Sequence, residues 1–154
     1  MLHSASMWIL STLLVGFAAT LGTMVIHGLV AHTIIMQMRR DLERGWLGAR
    51  LWVNLTFVSG TTLLALVGHI LEVALWAFVF KLCGGIAGFG AALYCSAGNY
   101  TTVGSGGVLL APQWRLLGPF EAAAGLLMFG ASTALIIAVI QGLIRVRLAG
   151  AERK

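Results

Sequence analysis

Three long apolar runs, separated by one basic stretch and one glycine-rich interval, organise this chain. The first extends from about Trp8 to Met36, the second from about Leu51 to Phe80, and the third from about Leu116 to Ile144. Each approaches roughly 30 residues, whereas about 20 suffice to cross the hydrocarbon core of a bilayer. The pattern predicts three transmembrane helices that tilt or protrude into the headgroup regions. The interval from Lys81 to Arg115 is too short and too broken for two more crossings. Gly84, Gly85, Gly88 and Gly90 precede a run, Ala91 to Asn99, suited to a short helix; Thr101-Thr102-Val103-Gly104-Ser105-Gly106-Gly107 follows. The economical reading is a half-membrane helix and an extended return strand, making one re-entrant loop. The fold class expected is therefore an all-α integral membrane protein.

Composition agrees with this reading. Hydrophobic residues make up 59% of the 154 and charged residues 10%, against about 25% charged in an ordinary soluble domain. The net charge of +5 could suggest nucleic acid, but the basic residues are not spread over a face. Arg39, Arg40, Arg44 and Arg50 fall in the stretch from Gln37 to Arg50, and Arg145, Arg147, Arg153 and Lys154 in the tail. That is the positive-inside distribution, and it places both segments in the cytoplasm. The N-terminus and the glycine-rich loop then face outward, in a multi-pass protein of the cell's inner (plasma) membrane. Three divisions follow: 1–50, a helix and basic loop; 51–144, a two-helix unit around the loop; and 145–154, a short basic tail. The tail could meet anionic lipids, worth about 1 kcal/mol per basic residue near the surface. Trp8, Trp46, Trp52, Trp76 and Trp114 fall near the ends of spans, where interfacial anchors are expected.

The loop carries the candidate chemistry. Irregular backbone at membrane depth is tolerated only inside protein or along a water-filled cavity. Carbonyls of an extended Thr-Val-Gly strand can replace a cation's hydration shell if several copies surround an axis, a device for which potassium channels are the standard example. Gly104 and Gly106 can adopt backbone angles closed to other residues, so that successive carbonyls point the same way. The C-terminal end of the short helix, near Asn99, carries partial negative charge that favours a cation.

These residues resemble the pore helix and filter of the tetrameric potassium channels. The likeness rests on Ala92-Leu93-Tyr94-Cys95-Ser96, on Thr101 to Gly106, on Trp114-Arg115, and on Gly125 and Gly130 in the last helix. It covers about residues 52 to 144 and is closest to small prokaryotic channels with one extra N-terminal helix. The resemblance implies a homotetramer that passively conducts potassium through Thr102, Val103, Gly104, Ser105 and Gly106. Potassium would be held by Thr102, Val103, Gly104 and Ser105, with no resident cofactor. Val103 would pack its side chain against the pore helix. Tyr94 and Glu72 are candidate supports for the filter, Gly125 a hinge, and Thr133 a residue facing the cavity, with Gly130 read as helix packing. Relatives usually carry an aromatic residue at Ser105, an aspartate at Gly107 and in some cases a buried glutamate at Gly98. The departures leave two alternatives open: a weakly selective cation pore and a non-conducting, channel-like scaffold subunit.

Other ionisable residues suggest different chemistry. His69 and Glu72, three apart, share a helical face, and an ionisable residue inside a membrane is a functional candidate by default. They form either a buried structural pair or, through His69, a proton sensor. Glu121 is expected to cap the third span, possible partner Arg115. His27 and His32 lack metal-ligand spacing. A membrane enzyme or metal carrier would require His27, His32, His69 and Glu72 to converge, which their spacing does not suggest. No nucleophile–base pair is evident, and no enzymatic activity is expected. Cys83 and Cys95 show no redox or metal spacing.

Overall fold

The computed structural model describes residues 2–48, 50–84, 86, 88–104, 107 and 110–151, with side chains from residue 7 to residue 149 among them. It is all-helical over these residues. α1 spans Leu2–Glu43, α2 Leu51–Leu82, the short α3 Phe89–Tyr100 and α4 Leu117–Ala151, with a 3-10 turn at Pro112–Trp114 before α4. Three helices, α1, α2 and α4, are long and apolar enough to cross a membrane, so the protein is a multi-pass membrane protein. Boundaries differ from the sequence reading in one consistent way. α1 runs on through Arg39 and Arg40, and α4 through Arg145 and Arg147. Arginine is a good helix former, and a helix propagates past the apolar region until something stops it.

The stops are local. At the end of α1 the amides of Gly45 and Trp46 bond to the carbonyls of Leu42 and Asp41, each at 3.0 Å. Gly45, at φ +69°, occupies the left-handed position of this helix-ending motif. Gly84 ends α2 similarly, at φ +65° with its amide on the Lys81 carbonyl.

Two apolar clusters hold the bundle. One gathers Trp76, Ala77, Phe80, Ala92, Cys95, Tyr100, Leu117, Ala124 and Met128 around α3, and the other joins Ile34, Leu47, Val139 and Leu143 near the basic loop. Small residues admit close neighbours, as membrane helix pairs require. The Phe120 ring lies against Gly16, Leu75 against Gly22 and Val30 against Gly68. Trp76 corrects the expectation of an interfacial anchor. It is fully buried, and its indole N–H donates to Thr23 Oγ1 at 3.0 Å. Trp46 and Trp52 are exposed, as anchors would be. α1 presents an apolar outer face, including Leu10, Leu14, Phe17 and Leu21, while its inner face packs on both α2 and α4.

Candidate functional site

α3 is a 12-residue helix, about 18 Å long at 1.5 Å per residue, a little over half the hydrocarbon thickness. Its inner face is Ala92, Cys95, Ser96 and Tyr100, all buried, at the i, i+3, i+4, i+8 positions of one helical stripe. The residues that hold it come from the neighbouring long helices. Ser96 Oγ lies 2.8 Å from the Val73 carbonyl of α2 and contacts Glu121 Oε1 of α4. Glu121 thus replaces two expectations: it lies beyond the first turn of α4, and its partner is Ser96. Arg115 is exposed. Glu121 is fully buried, and its second oxygen has no hydrogen-bond partner among the described residues.

The C-terminal end of α3 is anchored by a polar cluster. The Tyr100 hydroxyl donates to Glu72 Oε2 and lies 3.0 Å from His69 Nδ1. His69 Nδ1 is 3.1 Å from Glu72 Oε2, and His27 Nδ1 of α1 is 3.1 Å from Glu72 Oε1. Ser132 of α4 reaches the other His69 nitrogen at 3.0 Å. With both imidazoles as Nδ1–H donors, the buried carboxylate meets three donors. That arrangement satisfies an acceptor-only group away from water. The same end of α3 touches α4 through backbone: a side chain at Gly125 would overlap the Tyr100 carbonyl oxygen.

Beyond Tyr100 the chain turns sharply. The Thr102 amide bonds to the Asn99 carbonyl, and the Gly104 amide reaches back to the Gly98 carbonyl, both at 2.9 Å. Gly104 and Gly107 have φ +97°. Thr102 has φ +63°, the one positive φ at a non-glycine position among the described residues. For a β-branched residue this is an outlier, costing on the order of 1–3 kcal/mol. Thr101, Thr102, Val103 and Gly104 are exposed on the protomer. Ser105 and Gly106 lie outside the described residues.

Several residues singled out from the sequence lie at the surface of the protomer. Val103 is expected against the pore helix, and on the protomer it is 86% exposed. Tyr94 is exposed, and Tyr100 is the buried tyrosine at the helix end. Gly125 and Gly130 exchange packing roles within the protomer: the close approach is at Gly125, and Gly130 has open space beside it. Thr133 is exposed, its hydroxyl turned back to the Phe129 carbonyl at 2.9 Å. His27, His69 and Glu72 do converge, although their sequence spacing gives no sign of it, whereas His32 is exposed. Tyr100 escaped the sequence reading altogether. The signal was its place eight residues after Ala92 and four after Ser96, on one stripe.

Comparison with known proteins bears directly on this region. No curated protein and no solved structure matches the chain. A family model described as ion channel matches residues 68–142. That span contains Glu72, all of α3, the turn after it, and Glu121, Gly125 and Ser132. The segment from 68 to 142, with its short helix held between two membrane-length helices, is thus similar to the ion-channel family.

Proposed function

We propose that the protein is a passive monovalent cation channel, conducting potassium through a homotetrameric pore. In this reading α3 is a re-entrant pore helix, and Thr102, Val103, Gly104, Ser105 and Gly106 form the filter. The observation that carries the proposal is the strained turn at Thr102. A β-branched residue stays in the left-handed region only where the surrounding structure enforces it, and such strain gathers at functional sites. Here it begins the strand whose carbonyls would face the ion. The exposure of Thr101 to Gly104 supports the tetramer. Polar backbone cannot face lipid, so further copies of the chain and a water-filled axis would have to cover it. Passive transport fits the chain, and no catalytic step is assigned to it. Orientation follows the basic residues, with the segment around Arg44 and the tail in the cytoplasm.

A weakly selective cation pore is the second reading, favoured by Gly107. Its φ of +97° suits glycine, and no carboxylate stands at the outer mouth there.

The test is cation flux in liposomes holding the purified protein, under potassium and sodium gradients, with Gly104→Ala as control. An alanine at φ +97° is strained and should reduce flux sharply. Potassium flux alone supports the first reading, and flux of both ions the second. Absence of flux across several pH values and lipids overturns both in favour of a non-conducting scaffold subunit. Ser105→Tyr combined with Gly107→Asp restores two supports found in relatives. The double variant is expected to raise the potassium-to-sodium permeability ratio; an unchanged ratio would refute this account of the filter. There is open space beside Gly107, so the aspartate would meet backbone strain rather than a clash.

A further inference from the structure

We propose that His27, His69 and Glu72 form an intramembrane binding site for a zinc-type divalent cation, with the Tyr100 oxygen in the fourth position. Three helices supply the set: α1 gives His27, α2 gives His69 and Glu72, and α3 gives Tyr100. One ligand atom from each of His27, His69 and Glu72 lies within 4.8 Å of the others. The closest pairs are separated by 3.1 Å for each imidazole against the carboxylate and 3.0 Å for His69 against Tyr100. Zinc bonded at about 2.0–2.1 Å to nitrogen and oxygen has ligands about 3.3 Å apart along a tetrahedral edge. The imidazole–carboxylate pairs lie close to that edge, on different Glu72 oxygens, and an ion would draw the three ligand atoms, all within 4.8 Å, onto one centre.

The donor chemistry points the same way. Two imidazoles and a carboxylate are borderline ligands that suit zinc, whereas magnesium and calcium prefer oxygen alone. Ser132 bonds His69 through the nitrogen that faces away from Glu72. That is the position from which an outer partner fixes ring orientation in metal sites. The two imidazole side chains keep 9–10% exposure on the protomer while Glu72 has none.

The site would act on the filter turn. Glu72 and His69 are the groups that hold the Tyr100 hydroxyl, and Tyr100 stands two residues before the strained Thr102. A bound cation would take the Nδ1 lone pairs, each imidazole carrying its proton on Nε2 instead, and would compete with the Tyr100 hydroxyl for the carboxylate, moving the end of α3. Only this effect on flux rests on the channel reading; the metal site itself does not.

The test uses the full-length protein, purified without a histidine tag and titrated with cobalt and then zinc. One cobalt per chain with tetrahedral visible absorption, displaced by zinc, is expected. His27→Ala and His69→Ala should each weaken binding by at least about 100-fold, and Ser132→Ala by about tenfold. His32→Ala, on the same helix as His27, should leave it unchanged. Melting curves of each variant establish that it is folded. Wild-type protein that takes up no stoichiometric cobalt or zinc overturns the site, as does unchanged binding in folded His27→Ala. Zinc should also change flux in liposomes, and binding without any change in measurable flux would overturn the coupling to the filter. Protein that binds cobalt but passes no cation would retain the site and overturn the channel reading.

Discussion

Gly125→Ala is the substitution that best separates packing from hinge motion in α4. The Cβ of an alanine there would overlap the Tyr100 carbonyl oxygen and lie 3.1 Å from its carbon and 3.2 Å from the ring Cγ. An ordinary carbon–oxygen contact needs about 3.3 Å or more, so α4 and the end of α3 must separate by about 1 Å. The obstacle is backbone, which cannot swing aside as a flexible side chain can. Overpacking of this kind costs about 1–3 kcal/mol. At 2 kcal/mol the folded-to-unfolded ratio falls by about 30-fold. Thermal unfolding in detergent, followed by circular dichroism, should show a clear drop in melting temperature. Gly130→Ala, with open space on the protomer, should be neutral or gain up to about 1 kcal/mol from helix propensity. Removing the Tyr100 ring should not rescue Gly125→Ala, because the clash is with the main chain. Wild-type melting of Gly125→Ala would refute the packing argument. If its flux changed at unaltered stability, the glycine would be acting as a hinge.

Thr102→Gly should raise stability by about 1 kcal/mol, because it removes the left-handed strain, while lowering potassium flux; melting and liposome assays read the two separately. Trp76→Phe removes the buried bond to Thr23 and leaves a gap in the core, at a cost of about 2 kcal/mol by thermal unfolding. Burial holds the Cys83 thiol above its usual range. Maleimide labelling of Cys83 at pH 8 should therefore run slower than that of a free thiol and quicken as the pH rises. The same shift means that the folded state favours the neutral thiol. Its stabilising contribution is present below the ordinary thiol pKa and is lost as pH rises through the folded value, a fall in melting temperature that Cys83→Ser should diminish.

The sequence by itself determined the membrane class, the three long helices and the place of the short one. Those properties follow from runs of apolar residues and from where charges interrupt them, and both are local. It also located the turn after α3, since only a few residue types accept the backbone angles of Gly104. The sequence could not place polar side chains within a bundle whose helices are apolar all round. Trp76 reads as an anchor because it lies near a span end, yet the rotation of α2 against α1 turns it inward to Thr23. Glu72 has one visible neighbour at helical spacing, His69. Its others, His27 and Tyr100, lie 45 and 28 residues away and meet it only when α1, α2 and α3 pack. The roles of Gly125 and Gly130 were likewise decided by which face of α4 meets the end of α3. Helix formation depends on each residue and its near neighbours, but the azimuth of one membrane helix against another depends on all the surfaces that must fit at once. That fit placed a carboxylate, two imidazoles and a tyrosine at the base of the candidate filter.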